Sequence, residues 1–351
     1  MRIFASAKIL ITSATAGTLA LAAVAPAVAN DARAPLAESW HVSLQVTGAG
    51  GPAFSAVAAT SGSSAWAFEF VGGKAPAAYK LSGSGWKRRA FPGGVNDLVT
   101  SASASSASNV WAFTFQGRVL RFNGTKWSTV KKFSRPIMSG LAISGTDVWV
   151  FGSPGVGTWH FNGHGWARSR SGKGLQGASA LSAKNIWAYG GTSVAHWNGR
   201  TWTKTSLASL LPKNTQLSHS GLLGIYAAAP KSVYVIGSGQ RQDEGGPLVL
   251  LHFNGSAWRK AGEVSSLGDP VAVIPDGHGG LWIPVGTGSP REASMEHYSH
   301  GTLSSVRLPV PSARLTLLGA AIGKNTTAAL TVGVMRRSGG RLTAIILRFG
   351  P

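Results

Sequence analysis

Val110-Trp111-Ala112-Phe113, then Arg121-Phe122-Asn123-Gly124, then Trp127: this phrase decides the fold, because the chain repeats it. It returns as Val148-Trp149-Val150-Phe151, His160-Phe161-Asn162-Gly163 and Trp166. It returns again as Ile186-Trp187-Ala188-Tyr189, His196-Trp197-Asn198-Gly199 and Trp202. A phrase recurring at this spacing marks stacked supersecondary units, none of which can bury its apolar face alone.

The strand-borne anchor falls at Trp66, Trp111, Trp149, Trp187, Tyr234, Trp282 and, in a degenerate copy, Leu330. The steps are 45, 38, 38, 47, 48 and 48 residues, close to the length of one four-stranded blade. Each unit divides into strands a to d. In the third, Gly140–Ile143 reads as a, Asp147–Phe151 as b, Gly157–Phe161 as c and Gly165–Arg168 as d. Strand a is built from small residues, as in Ser101-Ala102-Ser103-Ala104, which suits the crowded centre of a ring. Asn-Gly between c and d is a hairpin signal, since both residues tolerate positive φ. The seventh unit ends at Pro351 before any strand d, while Ser39–Leu44 reads as a strand d with nothing before it. The expectation is an all-β, seven-bladed β-propeller over 39–351, closed by its N-terminal strand, with no exposed sheet edge at the seam.

Before it, Arg2 and Lys8 flank the apolar stretch Ile9–Ala23, and Ala27-Val28-Ala29 offers a small-residue cleavage site. Residues 1–29 therefore read as a secretory signal peptide and 30–38 as a short linker. No later stretch is apolar and long enough for a transmembrane anchor. The chain has no cysteine, so no disulfide and no lipid-modified cysteine supports it. A secreted or cell-wall-associated monomer is expected.

The chain has 33 basic and 12 acidic residues, and without Arg2 and Lys8 the excess is +19. Such a charge attracts polyanions and also keeps a protein soluble; it names no specific nucleic acid. Cations collect in strand d and the loops beside it. In a propeller the d–a and b–c loops share one face, which would carry Arg135, Lys173, Lys213, His219, Arg241, Gln242, Arg336 and Arg337 as candidate ligand-binding residues. Two long connections, Thr205–Gly221 and Gly237–Pro247, would be neighbours there, and ligands favour long loops on a rigid scaffold.

Chemistry is harder to find. His160, His196, His252 and His297 all precede the strand-c aromatic, but Lys80, Arg121 and Arg348 hold the same slot. Once per blade, such residues cannot meet on one ion, so the slot reads as structural and no metal or cofactor is expected. Asp97, Asp147 and Asp276 read as turn caps. Only Asp243 and Glu244 are adjacent carboxylates, and glycoside hydrolysis needs two across one bond. No nucleophile elbow or phosphate loop is present. Asn123-Gly124-Thr125 and Asn254-Gly255-Ser256 fit a glycosylation sequon, and the hairpin turn already accounts for them.

Over essentially the whole mature chain the repeat resembles that of secreted bacterial β-propeller proteins, many without an assigned function. Pro275-Asp276-Gly277-His278-Gly279-Gly280-Leu281-Trp282 is similar to a repeat element of streptogramin-lyase-like propellers, over one blade. Neither resemblance carries catalytic residues. The reading is a non-catalytic binding or scaffold module engaging an anionic polymer, polysaccharide or acidic protein through a basic loop face. Two alternatives stand beside it: a hydrolase or lyase using Asp243, Glu244 or His219, and an interaction platform indifferent to charge.

Overall fold

The computed structural model describes residues 38–94, 96–212, 217–241, 247–265, 269–286, 293–310 and 314–350, with backbone alone at 217–220, 239–241, 264, 265 and 314. The expected leader and all but the last residue of the linker lie outside them.

Seven antiparallel sheets follow one another along the chain, each in the order a-b-c-d. Blade 1 comprises Ala53–Ser61, Ser64–Phe70, Ala77–Ser82 and Gly85–Arg89. Blade 2 comprises Val99–Ser106, Asn109–Thr114, Arg118–Phe122 and Trp127–Lys132. Blade 3 comprises Ile137–Ala142, Val148–Gly152, Thr158–Phe161 and Trp166–Ser169. Blade 4 comprises Gly177–Ser182, Asn185–Gly190, Ser193–Trp197 and Trp202–Ser206. Blade 5 comprises Leu217–Ala229, Ser232–Arg241, Pro247–Phe253 and Trp258–Ser265. In blade 6 strand a is broken into Asp269–Pro270 and Ile274–Pro275, each fragment ending on a residue with no backbone N–H to give. Its other strands are Leu281–Gly286, Ser294–Ser299 and Thr302–Val306. Among the described residues no helix is long and apolar enough to cross a membrane.

Blade 7 closes the ring as expected. Its strands Arg314–Ile322, Ala329–Arg336 and Leu342–Gly350 are completed by Ser39–Thr47, in the register Trp40↔Phe349. Glu38, just ahead of that strand, receives hydrogen bonds from His278 Nε2 at 3.0 Å and from the Thr327 hydroxyl.

The repeated aromatics explain why the sheets stack. The strand-b rings project into the next blade, and Trp66, Trp149, Trp187 and Trp282 each meet both its strand-c aromatic and its strand-d tryptophan. Trp66 meets Phe122 at 4.8 Å and Trp127 at 5.2 Å. Trp149 meets Trp197 at 5.1 Å and Trp202 at 5.3 Å, and Trp187 meets Phe253 at 5.2 Å. Trp282 meets Phe349 at 4.9 Å and Trp40 at 5.5 Å, so the N-terminal strand supplies the seam with its tryptophan. Trp66, Trp111, Trp149 and Trp187 are buried, while Trp159 and Trp197 on strand c are only partly so.

The Asn-Gly turns work differently from the expectation. Only glycine takes positive φ, 102° at Gly124 and 91° at Gly163. The asparagine acts through its side chain: Asn123 Oδ1 accepts from the N–H of Thr125 and of Lys126, and Asn162, Asn198 and Asn254 repeat the arrangement. This is an Asx turn.

Candidate functional site

The inner strands surround a channel of about 1070 Å³. Its wall is small residues such as Ala102, Ser103, Gly140, Ala178 and Ala180. The serines are already engaged in holding the ring. Ser103 Oγ accepts from Ala142 N at 2.9 Å, and Ser179 Oγ accepts from Ala227 N at 3.1 Å, each across a blade boundary. Among the described residues neither carboxylate nor histidine lines this channel. Tyr189 and Tyr226 do, and burial pushes the Tyr189 hydroxyl up to about 12 and raises Tyr226.

The strand-c slot is structural, as expected, and its partners are now visible. His160 stacks on Trp149 at 4.2 Å and His297 on Trp282 at 4.1 Å. His196 and His252 stack in the same way on Trp187 and Tyr234. The ring edges reach acceptors near the head of strand b: His160 to Asp147 at 2.9 Å, His196 to Asn185 at 2.9 Å, His252 to Ser232 at 3.0 Å. Arg121 does the same with Asn109 at 3.1 Å. Burial lowers the affinity of His196 and His252 for a proton. Asp276 caps the N–H groups of His278 and Gly280 and also accepts from His297 at 2.8 Å. Burial alone would raise its pKa; those hydrogen bonds outweigh it and hold the carboxyl below the usual range.

Asp97 and Asp147 need correcting. Neither caps a local turn. Asp97 is fully buried, accepts from Gln116 N and pairs with Arg118 at 3.2 Å across the loop ends of blade 2; Asp147 serves His160.

Backbone hydrogen bonds fix which loops share an end. Phe133 N donates to Gly117 O, and Leu207 N to Thr192 O, both at 2.8 Å, tying d–a loops to b–c loops. Arg135 and Lys173 therefore lie on the same face as Arg336 and Arg337. The Arg135 side chain lies over Gly155, and Arg337 donates to Gln45 Oε1 at 2.6 Å. Lys213 and Gln242 lie outside the described residues, as do Asp243 and Glu244. His219 and Arg241 are in strands, and only their backbone is described. The two long connections are shorter than expected, because blade 5 pairs further: Leu217↔Arg241 and Gly221↔Ser238 extend its a–b ladder toward this face. Leu207 and Leu211 are buried, anchoring the chain between them.

The described loops of this face carry Lys74, Arg135, Arg170, Lys173, Arg307, Arg337 and Arg341, all exposed, against one carboxylate, the buried Asp97. Positive charge is not confined to it. The opposite loops carry Lys126, Lys184, Arg200, Lys231 and Lys324. What distinguishes the first face is exposed apolar area. Phe115 is 53% and Met138 48% exposed. Met138 is thrown outward by a register shift at the start of strand a in blade 3. Sequence reading missed both, since a bulge leaves no compositional mark.

No family model and no curated protein matches this chain. Solved structures do. One described as YCF48 bound to D1 peptide has a TM-score of 0.58 at 13% identity, over 89% of this chain and 97% of the other. YCF48 from Cyanidioschyzon merolae has 0.56 at 17%, over 89% and 98%. The WD40 beta propeller domain of Doa1 has 0.60 at 10%, over 88% and 96%. At these identities the likeness is one of fold, and it agrees with the ring of seven sheets.

Proposed function

We propose that the protein is a secreted, non-catalytic binding or scaffold propeller that engages an anionic partner through its d–a and b–c loop face. One observation carries the reading: the described loops there expose seven cations and no carboxylate, and the same face exposes Phe115 and Met138. Cations on a rigid rim steer and orient an acidic partner, and a few apolar side chains at the centre supply the desolvated contact. That combination favours an acidic protein segment over a bare polymer, since a wall polymer offers little for Phe115 and Met138 to cover. A structural neighbour is described as peptide-bound, which supports the mode of use without naming a partner for this chain.

A titration of the full chain with polyglutamate and with an anionic wall polymer, at low and high salt, tests this. The affinity for both should fall as salt screens the charges, and polyglutamate should keep the larger residual. Binding that is insensitive to salt would instead favour the platform that ignores charge.

A further inference from the structure

The gap between blades 1 and 2 differs from the five that follow it. In blades 2 to 6 the strand-c slot reaches an acceptor: Asn109, Asp147, Asn185, Ser232 or Asp276. Blade 1 has Lys80 there. It is half-buried, 5.8 Å from the Trp66 ring and 5.6 Å from Phe122, and among the described residues no carboxylate pairs with it. Two residues before the slot stands Ala78, where the other blades have Val119, Thr158, Val194, Leu250, Met295 and Ile346. Ala78 is fully buried in the core between the two blades, with Trp66, Phe122 and Trp127.

A groove of about 550 Å³ opens in the same gap. Trp66, Phe91, Phe122 and Trp127 line it, with Lys80, Arg89 and Lys126, and no acidic residue. A half-buried ammonium gains part of its lost hydration from ring faces, and an anion would supply the rest. The volume suits a small molecule.

We infer that this groove binds a small organic anion carried on a ring, its carboxylate or phosphate on Lys80, Arg89 and Lys126 and its ring against the aromatic wall. This does not rest on the loop-face reading, because the ligand and the residues differ.

Calorimetric titration of the full chain tests it. Phenyl phosphate probes an aromatic source and glucuronate a sugar source; phenol, glucose and inorganic phosphate supply each half alone. At least one of the two ring anions should bind about tenfold or more tightly than any half. Lys80→Met, which keeps the apolar stem, should weaken that binding about tenfold or more. Lys231→Gln, exposed and away from the groove, should leave it unchanged. Absence of binding by both ring anions, or inorganic phosphate binding as tightly as either, overturns the inference. So does unaltered affinity in a folded Lys80→Met protein. Should that variant fail to fold, the exposed pair Arg89→Gln with Lys126→Gln serves, and unchanged affinity there is equally fatal.

Discussion

Removing the indole of Trp40 should loosen the seam of the ring. Trp40 is 6% exposed, 5.5 Å from Trp282 and 5.6 Å from Phe349, and its strand is the only one in blade 7 drawn from the far end of the chain. Its indole nitrogen has no hydrogen-bond partner, so Trp40→Ala loses packing and little else. Burying such a ring is worth about 3–5 kcal/mol against alanine. Unfolding entropy near the midpoint is roughly 2.1 cal/mol/K per residue, or about 0.66 kcal/mol/K over the unit Ala37–Pro351. The ratio predicts a Tm lower by about 5–8 °C, read by calorimetry or circular dichroism. Phe115→Ala, at 53% exposure, is the matched control and should move Tm by about 1 °C or less. A Trp40→Ala protein melting with the wild type would mean that the N-terminal strand is an ornament on a ring already closed without it.

Stability should fall on mild acidification. His196 and His252 bind protons less readily folded than unfolded, so the stability they contribute is complete above the ordinary histidine value of about 6.5 and shrinks as pH drops through it. His278, paired with Glu38, holds its proton more tightly and acts in the opposite sense, so the test is the difference: a midpoint with the same pH slope from 7.5 to 5.5 in the wild type and in His196→Gln with His252→Gln contradicts this. A second loss belongs to Asp276, held below its ordinary value of 3.8: its contribution is complete above that value and is lost as pH falls below it, and Asp276→Asn should flatten that limb. Asn109→Ala should cost about 1–3 kcal/mol in urea unfolding, since Asn109 Oδ1 serves both Trp111 Nε1 and Arg121 Nε; a cost under about 0.5 would show the slot's acceptor to be dispensable. Gly190→Ala should cost about 1–3 kcal/mol or more, because a Cβ there would sit 2.0 Å from the Gly174 carbonyl oxygen, where the blade 4 b–c turn meets the loop that bears Lys173. Unchanged stability would place that loop elsewhere.

The ring was legible because its cause is repetitive. Trp66, Trp111, Trp149 and Trp187 recur because each blade must offer the next an aromatic wedge, and the lone strand around Trp40 follows once one unit is seen to lack its d. The partners of the slot were also legible in principle. Asn109, Asp147, Asn185 and Ser232 each stand two residues before the strand-b aromatic, and an acceptor repeated at that offset facing a repeated histidine is a signal. Asp97 was misjudged because burial of a turn residue depends on the neighbouring strand that brings Arg118 to it. Long loops in unit five were overestimated because a ladder can continue through Gly221 and Gly237 without apolar alternation to announce it. Exposure of Met138 depends on a one-residue register shift, and the groove beside Lys80 on how two blades meet, neither of which composition reports.

The central claim is that one loop face, and not the general positive charge, meets the partner. Two triple variants separate these: Arg135→Gln, Lys173→Gln and Arg337→Gln on the proposed face, and Lys184→Gln, Arg200→Gln and Lys231→Gln on the opposite one. Each removes three charges, so their net charges are equal. With polyglutamate at moderate salt, the account predicts that the first loses about tenfold or more in affinity while the second stays within about twofold of the wild type. Equal losses in the two would contradict it.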